Sequence, residues 1–434
     1  MAWGKNTGVE DLLQKLTNAK TAASLYVLST RSINDLDFVR LANSISSNTL
    51  LQELYLSGHE LGPHGLQAFA DCLAMNSTLQ HLCLGSDKLG DEAVKVLCTG
   101  LARNPHSGLQ NWDLEFKSLG VDGASAIGEL LAINNVLTTL TLSRNQIGDE
   151  GMKKLTKGLS DNVETKMTEL NVTDVGISGT GLDHLAALIA SDKCSLTTLQ
   201  LSFNSLTGAT SAFFDALAKN KSVKKLQLKE CKLMEKHVAA FACALKQNST
   251  LREIDLSDNE LTTIACASLA EGLRDNTTLE ILRLSNNRCQ DDGAVLLAEV
   301  LATDNMTLRY LDMSNNGLTS SSMTLLLKAK SITQLHLFNN KLGDGLSEVL
   351  PVLLTNSIIE TLGVGVNQLH EGLSVMLFDA LHTHPSLKTL EMGGNTLGKE
   401  GHAALDKLKE ANSTLDVAVD RNAQNEDGSF DFQK

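Results

Sequence analysis

The chain has 434 residues, 42% of them hydrophobic but only 4% aromatic, with 32 glycines and just 4 prolines. That length exceeds the roughly 250–300 residues one core can organise, and so few bulky anchors or rigid linkers exclude a single conventional globule and favour a repeat array. The net charge of −14 excludes a nucleic-acid backbone or membrane insertion through an anionic surface as the main mode of action, because both surfaces would repel it.

The first predicted element is a helix. Val9, Leu12, Leu13 and Leu16 fall at helical spacing within GVEDLLQKLTNA, which suits a cap, residues 1–24, over the open edge of the first strand. MAWGKNTGVEDLL does not join a basic segment to an apolar one, and no stretch reaches the ~18 apolar residues of a membrane span, so the chain reads as cytoplasmic. From residue 25 to residue 420 one phrase recurs. LYVLST at 25 is a weak copy, and LQELYL at 51, LQNWDL at 109, LTTLQL at 196, LREIDL at 251, LRYLDM at 308 and LKTLEM at 387 are typical of fourteen starts between Leu51 and Leu415, one every 28 residues on average. The array therefore holds about fifteen repeats. One step, Leu308 to Ile332, is only 24 residues, and the loss falls in SSSMTLLLKAKS, where a helix is due. Residues 421–434, RNAQNEDGSFDFQK, form a polar tail in which Phe430 and Phe432 either fold back or dock elsewhere.

Within LREIDLSDNELTTIACASLAEGLRDNTT, alternating apolar residues predict a short strand and the later L-A-x-x-L spacing predicts a helix. The fourth and sixth places, such as Leu54/Leu56, Leu140/Leu142, Ile254/Leu256 and Leu282/Leu284, point into a core that neighbouring repeats must share. Asn fills the ninth place at 145, 204, 259, 287, 316, 340, 367 and 395, where its amide can satisfy backbone groups as the chain turns off the strand. His59, Asp87, Lys117, Val175 and Cys231 depart from it, and Lys117 and Val175 predict looser turns.

The phrase L-x-x-L-x-L-x-x-N-x-L, the 28-residue period and the L-A-x-x-L helix over residues 25–420 resemble the ribonuclease-inhibitor-like subfamily of leucine-rich repeats. The resemblance implies an α/β solenoid, a right-handed horseshoe with parallel strands on the concave face and helices on the convex face, in a family whose members mostly bind proteins. A ribonuclease inhibitor proper would carry far more than these 8 cysteines.

Catalytic motifs are missing: no G-x-x-x-x-G-K-[ST], no G-x-S-x-G, no H-E-x-x-H, and the G-x-G at 363–365 sits in a strand. The eight cysteines form no C-x-x-C pair, so neither a metal nor a cofactor is expected and the thiols read as small buried hydrophobes in a reducing compartment. Seven N-x-S/T triplets recur, five of them (Asn76, Asn248, Asn276, Asn305, Asn412) in N-S-T-L, N-T-T-L or N-M-T-L just before a strand, which the repeat itself explains without glycosylation.

A binding face is nominated instead. Third, fifth and seventh places alternate with the core leucines and face outward; fourteen strands ~4.8 Å apart span roughly 60 Å, ample for the ~800 Å² per partner of a standard interface. Arg283, Tyr310, Asp312, His336 and Phe338 place exposed aromatics beside both signs of charge on three consecutive repeats, flanked by Asp255, a hot-spot composition. Tyr55 lies on the same face, and Asp113 and Glu115, with Glu169, suit a Lys/Arg-rich partner. The expected function is a non-catalytic scaffold gripping a protein partner, alone or as a subunit of a larger complex. Activators of the small GTPase Ran share this repeat type and place an essential Arg and Asn at the rim, so the resemblance also implies a GTPase-activating protein with Arg144-Asn145 as the nearest match. A third implication is a structural subunit of a large assembly such as a ciliary axoneme.

Overall fold

The computed structural model describes residues 8–18 and 23–419; Phe430 and Phe432 lie outside the described residues. The chain forms two compact units, the first ending at Val223 and the second beginning at Lys224. In the first, β1 (Ser24–Tyr26), β2 (Glu53–Ser57), β3 (His81–Gly85), β4 (Asn111–Asp113), β5 (Thr139–Thr141), β6 (Glu169–Asn171) and β7 (Thr198–Gln200) pair in chain order as a parallel sheet. Helix α1 (Glu10–Leu16) precedes it, burying Val9, Leu12 and Leu16, and α2 (Asp35–Ser46), α3 (Pro63–Leu73), α4 (Gly90–Ala102), α5 (Val121–Leu131), α6 (Gly148–Asp161), α7 (Gly179–Ile189) and α8 (Ala212–Lys219) follow the strands in turn. In the second unit β8 (Lys225–Gln227), β9 (Glu253–Asp255), β10 (Ile281–Arg283), β11 (Tyr310–Asp312), β12 (Gln334–His336), β13 (Thr361–Gly363), β14 (Thr389–Glu391) and β15 (Asp416–Ala418) pair likewise. They alternate with α9 (Glu235–Leu245), α10 (Thr263–Asp275), α11 (Gln290–Thr303), α12 (Ser320–Leu326), α13 (Leu346–Thr355), α14 (Glu371–Ala380) and α15 (Gly398–Ala411).

The register explains why one repeat cannot stand alone. Fourth-place residues pair Leu54 with Leu82, Leu82 with Trp112 and Trp112 with Leu140, and in the second unit Ile254 with Leu282 and Leu282 with Leu311. All are buried between sheet and helices, each leucine contributing roughly 1.5–3 kcal/mol that only a neighbour's leucine makes available. The shortened step falls where the spacing predicts: α12 has 7 residues against 14 in α11.

Leaving the strand requires a left-handed residue at place eight. Phe116 (φ 53°), Arg144 (57°), Asp258 (58°), Asn286 (55°), Asn315 (51°) and Val366 (53°) all adopt it, at a cost of roughly 1–2 kcal/mol for a residue with a Cβ. The ninth-place amide offsets that cost. Asn259 accepts from the Cys231 and Leu233 N–H groups of the preceding turn and donates to the carbonyls of Leu228 and Leu256. The same device corrects the expectation of loose turns: Lys117 N–H donates to Asn145 at 3.0 Å and Val175 N–H to Asn204 at 3.1 Å, so each irregular turn is tied down by the next repeat's amide.

A second ladder runs along the other end of the strands. Asn76, Asn276 and Asn305 are buried; each accepts two N–H groups of its own chain and donates to the preceding repeat, as Asn276 does to Leu245 and Asn248. Their recurrence in N-x-S/T triplets is thus structural. His384 replaces this asparagine, with Nε2 2.9 Å from the Leu353 carbonyl and Nδ1 accepting from Ser386 and Leu387. Helix N-termini are capped across repeats too. Asp35 accepts from Gly65 N–H, Asp91 from Gly120, Asp149 from Ser178, and Asp291 from Thr319, and the Gly65 bond holds the Asp35 carboxyl below its ordinary pKa.

Candidate functional site: the open face of the sheet

The helices cover one face of each sheet and leave the third, fifth and seventh places on the other. In the second unit these places build a connected row. Arg283 on β10 reaches back to the Glu253 carboxylate on β9, which Lys225 also approaches at 3.3 Å. Its guanidinium carbon lies 5.0 Å from the centroid of the Tyr310 ring on β11, a cation–π distance. Tyr310 in turn faces His336 on β12, ring centroids 4.9 Å apart, and His336 Nδ1 stands 3.2 Å from Glu391 Oε2 on β14. The row therefore alternates carboxylate, cation, aromatic ring, imidazole and carboxylate across six strands.

Electrostatics hold it in place. Burial opposes charge on Arg283, yet the Tyr310, Glu253 and Asp255 groups around it outweigh that and raise its pKa. Burial and the Asp312 carboxylate push the Tyr310 phenol up, keeping it a neutral donor, and burial likewise raises Asp255.

The expected exposure of Phe338 is corrected by the structure: it is only 3% exposed. The next strand carries glycine at its fifth and seventh places, and the ring lies in the hollow they leave. A Cβ on Gly363 or Gly365 would sit 2.5 or 2.4 Å from it. Phe338 stacks on His336 at 6.3 Å and shapes the row from beneath. The fifth-place acids also have a local duty. Asp113, Asp255 and Asp312 accept the N–H two residues on, from Glu115, Ser257 and Ser314 at 2.8, 2.9 and 2.9 Å. Of the residues nominated by sequence, the structure thus gathers Asp255, Arg283, Tyr310, Asp312, His336 and Phe338 on four consecutive strands. Glu253 and Glu391, which anchor the two ends of the row, carry no signal apart from their outward places.

In the first unit Tyr55 is one ring of a stack, 4.3 Å from Tyr26 on β1 and 4.6 Å from His81 on β3, with burial and Tyr26 pushing its phenol up to about 12. Glu53 accepts from Ser24 and Tyr26 at the stack's edge. Asp113 and Glu115 lie on β4 and its turn, Glu115 within 3.7 Å of Arg144. The Arg144-Asn145 pair divides: Arg144 is exposed, whereas Asn145 is buried and spends its amide on Lys117, Leu119, Leu114 and Leu142. No disulfide joins any of the eight cysteines, and burial pushes the Cys72 and Cys83 thiols up to about 12 and about 11. Among the described residues no three His, Cys, Asp or Glu side chains gather to hold a metal ion, and no helix is long and apolar enough to cross a membrane.

Comparison with known proteins agrees with this architecture. The leucine-rich-repeat family matches at residues 47–70, 134–155, 247–270, 275–298, 304–327 and 383–405. Mouse (Mus musculus) ribonuclease inhibitor is 28% identical over 419 residues, covering 95% of this chain and 79% of that protein, and the pig (Sus scrofa) ribonuclease inhibitor is 27% identical over 404 residues, 91% and 76%. Among solved structures, TLR13 in its complex with ssRNA13 superposes with a TM-score of 0.52 at 17% identity, over 94% of this chain and 56% of that one, a likeness of fold alone. With its repeating phrase, its parallel strand-and-helix units and the matched repeat segments, the chain is built of leucine-rich repeats and is similar along nearly its whole length to the ribonuclease inhibitors.

Proposed function

We propose that this protein is a non-catalytic interaction scaffold that grips a protein partner through the open face of its sheet. The observation that carries the reading is the linked row Glu253, Arg283, Tyr310, His336 and Glu391, which puts a tyrosine and an arginine, the residue types that dominate binding hot spots, side by side on rigid strands. Phe338 and its glycine hollow fix the row's geometry before any partner arrives, which lowers the ordering cost of association. Ribonuclease inhibitors are by name directed at a protein target, and the same class of partner suits this face. The commitment of Asn145 to the turn ladder leaves Arg144 alone at the surface and favours a scaffold over a GTPase activator. Eight cysteines that form no disulfide support a reducing, cytoplasmic setting.

The test compares proteins captured on the immobilised full chain with those captured on Arg283→Ala, Tyr310→Ala and, as a control on the helical side, Glu299→Ala. Hot-spot residues lose about 2 kcal/mol or more on truncation, roughly thirtyfold in affinity. Partners retained by E299A but lost from R283A and Y310A support the reading; a partner set unchanged in all three removes this face from consideration.

A further inference from the structure

The first unit holds a feature the repeat does not explain. Three successive turns, those after β2, β3 and β4, give up the ninth-place amide for His59, Asp87 and Lys117, and a cavity of about 400 Å³ opens where the ladder is interrupted. Its inner end is buried. Lys117 is 3% exposed and reaches past β3 to donate to the Ser57 hydroxyl of β2 at 3.0 Å, so its charge is met there by a neutral group and not by a carboxylate. Its mouth is open, bounded by Phe116, Asp87, Glu115 and Arg144.

Phe116 is the informative residue. The residue is 57% exposed and stands at a left-handed backbone position, whereas Trp112, on the strand just before it, is in the core. An exposed ring at the mouth of a cavity gains when a planar group covers it. The charges around it select that group. Asp87, Asp113 and Glu115 outnumber Lys117 and Arg144, Glu115 and Arg144 are only loosely paired at 3.7 Å, and Glu53 and Glu169 extend the negative face along the same sheet. An anion would be repelled by the carboxylates. A lysine ammonium would satisfy them and leave the ring poorly covered, while a guanidinium is planar, stacks on an aromatic face and forks onto carboxylates.

We propose that this cavity is an anchor site for a single arginine side chain from a basic protein segment, its guanidinium stacked on Phe116 and paired with Asp87 and Glu115. The rest of that segment runs over the Tyr26, Tyr55 and His81 stack, where Tyr26 is 63% exposed and offers a further aromatic face for basic side chains. This deepens the scaffold reading and rests on it, by naming the chemistry of the partner that the first unit accepts.

The experiment titrates acetyl-arginine-amide, its neutral isostere acetyl-citrulline-amide and inorganic phosphate against the full chain by ligand-observed saturation-transfer NMR, with Phe116→Ala and Asp87→Asn as variants. Both positions are at the surface, and circular dichroism checks that the variants remain folded. The arginine probe binds about tenfold more tightly than citrulline, phosphate does not bind, and each variant weakens arginine about fivefold, as loss of a stacking face or a charge-assisted hydrogen bond requires. Equal binding of arginine and citrulline, saturable phosphate binding, or arginine binding untouched by F116A overturns the proposal. Because the probe is read without any partner, failure here is distinct from failure of the capture experiment in the second unit.

Discussion

Replacing Asn145 by alanine tests how much of the fold rests on the turn ladder. Its buried amide accepts from Lys117 and Leu119 N–H, both at 3.0 Å, and donates to the carbonyls of Leu114 and Leu142 at 2.9 and 2.7 Å. Alanine leaves two N–H groups and two carbonyls without these partners, in a turn whose Phe116, Ser118 and Arg144 are already left-handed. An orphaned buried polar group costs about 1–3 kcal/mol, and partial entry of water at the turns brings the expected total to about 4 kcal/mol. Trp112 sits on β4, the strand whose exit this amide holds, so its fluorescence in a Trp3→Phe background reports the local transition in urea. A loss of that size, with the slope of the transition unchanged, is expected. A destabilisation below about 1 kcal/mol would refute the view that the ninth-place amide, and not the leucine stack alone, secures the left-handed turns.

Two further perturbations read other parts of the structure. His384 does an asparagine's work only while its Nδ1 is an unprotonated acceptor, and burial holds its pKa below the ordinary 6.5. Since the unfolded chain binds that proton more readily, stability is full above about pH 6.5 and is lost as pH falls from there through the folded pKa. His384→Asn restores the ladder residue and should flatten the urea midpoint between pH 7 and 5 relative to the native chain; the same loss in both proteins excludes this histidine as the cause. Gly365→Ala places a Cβ 2.4 Å from the Phe338 ring and 2.8 Å from the Gly393 carbonyl, so overpacking should cost about 1–3 kcal/mol and lower the melting temperature by calorimetry. An unchanged melting temperature would show that Phe338 has room to leave its hollow.

What the sequence discloses and what it withholds have one physical origin. The strands, the buried fourth and sixth places and the turn asparagines are legible because each is enforced by a period within one repeat, two along a strand and 28 along the chain. The same periodicity places Arg283, Tyr310 and His336 together, since equivalent places on successive parallel strands are neighbours. Depth and hydrogen-bond commitment obey a different rule, because they depend on what the surrounding chain supplies, either the next repeat or the residue's own turn. Phe338 is outward by its place yet buried, because Gly363 and Gly365 leave it a seat. Lys117 and Val175 look like faults in their own repeats yet sit in firm turns, because Asn145 and Asn204 belong to their neighbours. Asp255 and Asp312 look free to meet a partner yet are tied to Ser257 and Ser314. On this face an outward place is therefore necessary for binding and not sufficient. The side chains that remain able to bind are those whose neighbours pair with them and do not cover them, and that condition selects the Arg283–Tyr310–His336 row from the many outward residues of the second unit.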